Sequence, residues 1–157
     1  MDFKVKSIVE PLPNKALIEK NEVYFRVKFP KEYILFIRKY NGAVPVKNEI
    51  TIENRVYSIE RFLCILEDYQ SDEINGWYDI GVTEAQIGER LSDNEDLVGA
   101  DMIPIAALFA GDFVCLDYRK NSTVPEVCIW FHEESREFAP VTEKIANNFE
   151  EFIHMLE

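Results

Sequence analysis

MIPIAALFAGDFVCLDYRKNSTVPEVCIWFHEE, residues 102–134, is the stretch whose reading decides the fold. Three apolar runs follow one another, broken first at Gly111–Asp112 and again over the polar stretch Arg119 to Pro125. Each run is rich in Val, Ile, Leu, Phe, Tyr and Trp, residues that suit a pleated, half-buried surface. Gly111 and Asp112 bring turn chemistry to the first break, and Asn121, Ser122 and Pro125 bring it to the second. The block predicts three consecutive strands in the middle of the fold.

Outward from that centre, Glu49 to Leu66 has period two. Ile50 and Ile52 alternate with polar residues, Asn54–Arg55 is the expected turn, and Val56, Tyr57, Ile59, Phe62, Leu63 and Ile65 follow. Before this hairpin, Pro30 opens a helix in which Tyr33, Phe36, Ile37 and Tyr40 form an i, i+3, i+4, i+7 stripe. Gly42 stops it, since glycine accepts the left-handed conformation at little cost. An earlier helix starts after Asn14 as N-cap, with Ala16, Leu17, Val23 and Tyr24 expected on its inner face. Beyond the hairpin, Asp72 to Leu91 places Trp77, Ile80, Ile87 and Leu91 at helical spacing, and Leu91 to Asp101 is an acidic loop. At the end of the chain, Asn147 with Glu150 resembles a capping box before the stripe Phe149, Phe152, Ile153 and Leu156. Helices at the ends and strands in the middle predict one α+β domain over residues 1–157. Its mainly antiparallel central sheet is covered by helices from the N-terminal third, the middle and the C-terminus.

With 157 residues, 47% of them apolar, the chain is long enough for one sizeable core. No window holds the roughly 18 unbroken apolar residues that span a bilayer. The opening MDFKVKSIVEPLP lacks the apolar region of a signal peptide, so a cytoplasmic protein is expected. Cys64, Cys115 and Cys128 are widely spaced and odd in number, which predicts buried free thiols rather than disulfides.

Charge is distributed unevenly. The formal net charge is −12, yet residues 1–60 carry eleven bases and eight acids, whereas residues 61–157 carry six bases and twenty-one acids. Between Glu67 and Asp101, eleven acids accompany a single base, Arg90. Such a surface repels nucleic-acid phosphates and steers a basic partner towards it.

The chain carries few residues arranged for catalytic chemistry. His132 lacks a second histidine at i+4, the phosphate-binding glycine loops are missing, and Asp93, Glu95 and Asp96 do not have the spacing of a calcium loop. If the second and third strands pair about Ser122, Asp112 lies opposite His132, with Cys115 and Cys128 near by. That arrangement resembles a nucleophilic Cys-His-Asp site. The apolar neighbours of both cysteines instead favour inert core thiols. The expectation is a protein without catalytic residues. Trp77 and Tyr78, with Tyr69, lie inside the acidic stretch and are residue types that carry binding energy at interfaces. Set against this, Trp77 anchoring its helix to the sheet is the plainer expectation.

Four blocks resemble the SUKH superfamily. PKEYILFIRKYNGAVP (Pro30–Pro45) is similar to its Pro-x-x-Tyr-x-x-Phe … Tyr-Asn-Gly-Gly segment, with Ala43 in place of the second glycine. IPIAALFAGDFVCLDYR (Ile103–Arg119) resembles its Ile-Pro-Ile-Ala … Gly-Asp … Leu-Asp-Tyr stretch. PEVCIWFHEE (Pro125–Glu134) resembles the following strand, and IANNFEEFIHML (Ile145–Leu156) its terminal helix. Residues 1–29 fall outside this resemblance.

The resemblance implies a non-enzymatic α+β binding domain with no catalytic, cofactor-binding or metal-binding residue. Bacterial members are mainly immunity proteins that neutralise polymorphic toxins, often nucleases, while eukaryotic relatives act in cell-wall assembly signalling. The expected function is therefore to bind and block a cognate toxin, a basic nuclease domain; a regulatory or scaffold module is the alternative. Neither nucleic acid nor membrane is an expected partner. Glu67, Asp68, Tyr69, Asp72, Glu73, Trp77, Tyr78, Asp79, Asp93, Glu95 and Asp96 are the expected partner-binding residues.

Overall fold

In the computed structural model, which describes residues 2–157, the helices α1 (Lys15–Phe25) and α2 (Lys31–Tyr40) precede the strands β1 (Glu49–Ile52) and β2 (Arg55–Phe62). The chain continues through α3 (Ile80–Leu91), β3 (Met102–Leu108), β4 (Phe113–Asp117), β5 (Glu126–Trp130), β6 (Thr142–Ala146) and α4 (Phe149–His154). The six strands form one antiparallel sheet in sequential order. The strands expected from residues 102–134 are β3, β4 and β5 at its centre.

These strands are more deeply buried than a half-covered sheet requires: all seven residues of β3 are buried. Both faces of the sheet are covered. On one face Ile103, Val114, Leu116, Val127 and Ile129 pack with residues of α1, α2 and α4. On the other, Met102, Cys115, Cys128 and Trp130 pack with Ile87 and Leu91 of α3. An antiparallel strand in this position needs apolar side chains pointing both ways, which is why the runs are continuous rather than alternating. Aromatic contacts tie these layers together: Phe36 of α2 meets Phe62 of β2 in a tilted pair with centroids 4.6 Å apart, and Tyr33 of α2 meets Phe149 of α4 edge-on at 5.4 Å. Each such pair adds about 0.5–1.5 kcal/mol beyond area burial.

α2 has the predicted bounds and buries Tyr33, Phe36 and Ile37. Its exit is held by Asn41, fully buried, whose amide donates to the carbonyls of Val9 and Ile65 and accepts from the Ile65 N–H at 2.8 Å. Gly42 follows at φ 67°. Three expectations shift. The β1–β2 turn is Glu53–Asn54, with Ile52 opposite Arg55, one residue earlier than the Asn54–Arg55 reading. The cap of α4 is Asn148, which accepts from Glu151 N–H while the Glu151 carboxylate accepts from Asn147 N–H: a capping box one residue later than Asn147–Glu150. Asn14 does cap α1, but the buried face is Ile18, Glu22 and Phe25; Ala16, Val23 and Tyr24 face solvent. Glu22 is buried because it caps the chain's return, accepting the Phe29 N–H at 2.7 Å.

Candidate functional site

The segment between Leu66 and α3 is irregular but tightly tied. Two short 3-10 turns, Tyr69–Ser71 and Asn75–Tyr78, replace the start of the expected helix. Short acidic side chains hold them by binding backbone N–H groups two and three residues on. Asp68 accepts from Gln70 N–H, and Asp72 accepts from the N–H groups of Ile74 and Asn75 and from the Asn75 amide. Those Asn75 and Ile74 donors hold the Asp72 carboxyl below the ordinary aspartate value. Gly76 lets the turns stack, since a Cβ there would meet the Tyr69 carbonyl oxygen at 2.3 Å.

This scaffold turns its apolar side chains outward. Tyr69 is 47% exposed, Ile74 73% and Trp77 66%. Trp77 therefore does not anchor its helix to the sheet. Ile80, fully buried, does so at the first position of α3.

The eleven residues expected to bind a partner separate into different roles. Glu67, Asp68, Tyr69, Glu73 and Trp77 are exposed and share one region, with Asp72 half-buried beside them. Asp79 is not part of that surface: it is 5% exposed and caps α3, accepting from Gly81 N–H and Val82 N–H and reaching back to the Leu66 N–H at 2.9 Å. Burial pushes its carboxyl up, and the three N–H donors pull it part of the way back. Tyr78 is half-buried beneath the Arg61 guanidinium, 4.2 Å from its ring centroid. Asp93, Glu95 and Asp96 are exposed but lie past the far end of α3, a twelve-residue helix about 18 Å long.

Among the described residues, none of the eleven acids between Glu67 and Asp101 lies within salt-bridge distance of a base. All six bases of residues 61–157 have internal partners instead. Arg90, the one base of the acidic stretch, donates to the carbonyls of His132 and Ser135 and covers the Trp130 ring, whose Nε1–H binds the Arg90 carbonyl at 2.9 Å. Arg61 donates to Gly42 and Asn75, and Arg119 grips Asp117 with two nitrogens at 2.9 and 2.8 Å. Lys120 and Lys144 pair with Glu126, and Arg136 donates to the Glu133 carbonyl. Among the described residues, the acids of this face therefore have no salt-bridge partner of their own.

Beside this face a groove of about 480 Å³ runs between α1 and the first half of α3. Leu17 and Tyr24 form part of one wall; Leu66, Tyr69, Val82 and Ala85 form part of the other. Sequence reading gave α1 no functional role. Tyr24, expected on the inner face of that helix, is exposed and free to line the groove.

A family model described as SUKH_6, SMI1-KNR4 cell-wall, matches residues 15–153. The chain belongs to the SUKH superfamily. Its domains are protein-binding modules, and this match takes in α1, which the sequence resemblance from Pro30 onward had left out. Searches of curated proteins and of solved structures returned no match.

Within this SUKH domain, the residues weighed for catalysis are only partly brought together. The register sets Phe113 opposite Trp130, one residue away from the pairing about Ser122. Asp112 nevertheless accepts the His132 N–H at 2.9 Å and stands 3.7 Å from its Nδ1. Cys115 and Cys128 are direct cross-strand partners in the core beneath α3. His132 lies four residues beyond Cys128, about 13 Å along an extended strand, so no thiol–imidazole pair forms. Burial pushes both thiols well above their ordinary value and Cys64 up to about 12. No helix is long and apolar enough to cross a membrane among the described residues.

Proposed function

We propose that this SUKH domain is a non-catalytic immunity protein that binds and neutralises a cognate toxin, a basic nuclease domain, in the cytoplasm of the producing cell. One observation carries the reading: exposed Tyr69, Ile74 and Trp77 stand among acids that form no salt bridge among the described residues. Buried aromatic anchors inside a charged rim are the usual anatomy of a tight interface. A nuclease must hold phosphates and so presents a basic site, which an acidic inhibitor complements. The family supports protein binding as the activity.

The test is co-expression with the product of the adjacent gene. That product alone is expected to kill, and this chain to rescue growth and form a stoichiometric complex. Changing Glu67, Asp68 and Glu73 together to lysine is expected to slow association about tenfold or more at low salt. Lack of rescue by the unaltered chain, or an unchanged association rate and salt dependence in the triple variant, would overturn the proposal.

A further inference from the structure

We infer that the groove between α1 and α3 is the seat for an apolar side chain of a partner segment whose flanking residues are Lys or Arg. The owner of that segment rests on the immunity reading; the chemistry of the seat stands on its own. The groove volume, about 480 Å³, falls in the roughly 300–1,000 Å³ range of clefts that accept ligands. Two tyrosines on opposite walls, Tyr24 and Tyr69, present exposed rings to it. Tyr69 and Val82 also line the adjoining depression that leads to Trp77. The two hollows thus form a trough over the first half of α3, a shape suited to a chain segment.

Charge decides what flanks the anchor. Glu67 lines the groove and Glu73 the adjoining depression, and neither has a salt-bridge partner among the described residues. Lys20, on the α1 wall, is the one cation of the lining and has no salt-bridge partner either. An acidic segment would meet like charge, and so would a second copy of a chain with net charge −12. A basic segment gains both steering and register. Recognition is then shared between the acidic turns and the N-terminal helix.

The probe is a fluorescein-labelled peptide alternating Lys with Leu and Trp, compared with a counterpart bearing Glu at every Lys, by anisotropy at two salt concentrations. The Lys peptide is expected to bind, more weakly at high salt, and the Glu peptide not to bind. Ala85→Trp fills the groove from an exposed helix position and should weaken binding roughly tenfold, a loss of about 1.4 kcal/mol. Tyr24→Ala, also at an exposed position, should weaken it severalfold, and Lys20→Glu should strengthen it; circular dichroism checks folding of all three. Absence of Lys-peptide binding, equal binding of the Glu peptide, or affinity unmoved by both Ala85→Trp and Tyr24→Ala would overturn the inference. Rescue from the adjacent gene product is scored separately. Rescue without groove dependence removes the seat and leaves the immunity reading; groove binding without rescue does the reverse.

Discussion

Asp79 distinguishes a residue that builds the site from one that meets a partner. Replacing it with alanine strips three N–H groups of their acceptor at once: Gly81 at 2.8 Å, Val82 at 3.1 Å and Leu66 at 2.9 Å. Loss of the helix cap alone costs about 1 kcal/mol. The Leu66 N–H, in a buried setting, adds about 1–3 kcal/mol as an unsatisfied donor. The combined loss is about 3 kcal/mol, which for a chain of this size lowers Tm by about 6–12 °C. Asp79→Asn keeps one of the two acceptor oxygens, enough for the cap at Gly81 and Val82, but sets its NH2 against the Leu66 N–H, so it should recover only the cap's share of that loss.

Urea titration of the three proteins at neutral pH measures these differences directly. Repeating it across acidic pH adds a sign test. Because burial raises the folded-state pKa of Asp79 above its ordinary 3.8, its contribution is fully present below that value and declines as pH rises through the folded pKa. Asp79→Asn does not titrate, so its stability relative to the unaltered chain should improve as pH rises through that window. A loss under about 1 kcal/mol for Asp79→Ala, well short of the cap plus buried-donor sum, would refute the reasoning. So would slower partner association with stability intact.

Arg90→Ala should destabilise the domain by about 2 kcal/mol in urea titration, since it releases the 132–135 carbonyls and uncovers Trp130. Arg90→Lys should recover little of this, because one ammonium cannot reproduce the planar fork. The thiols of Cys64, Cys115 and Cys128 should resist a disulfide reagent in the native state and react on unfolding, as buried, protonated sulfurs do. Cys115→Ser should cost about 1–3 kcal/mol in thermal or urea unfolding by burying a hydroxyl among apolar neighbours. Gly76→Ala should force the Tyr69 carbonyl aside, visible as amide shift changes over residues 68–78, and weaken partner binding more than it lowers Tm.

Much of the fold was legible because its signals are local. The strands at 102–134, the α2 stripe ending at Gly42 and the final aromatic helix each declare themselves through period, cap or turn chemistry within a dozen residues. The one-residue slips at Glu53–Asn54 and Asn148 arise where two neighbouring polar residues offer equivalent turn or cap chemistry, and packing selects between them. The inner face of α1 was misread because Glu22 looks like a solvent residue until Phe29 returns to donate to it. Asp79 was misread in the same way. Its neighbours mark it as acidic surface, and only the return of Leu66, thirteen residues earlier, buries it.

The amino-acid sequence by itself determined the α+β class, the strands of the 49–66 and 102–134 blocks, the family and the concentration of negative charge beyond residue 60; the edge strand β6 and the order in the sheet came from the structure. The properties legible in sequence depend on composition and short-range pattern, which folding does not alter. Tertiary structure decided which acids remain available, that Arg90 serves the turn below α3 rather than the acidic face, and that α1 forms a wall of the groove. Each of those outcomes depends on contacts between residues distant in sequence. Such contacts are set by how two layers of helix close on one sheet, and no local pattern specifies them.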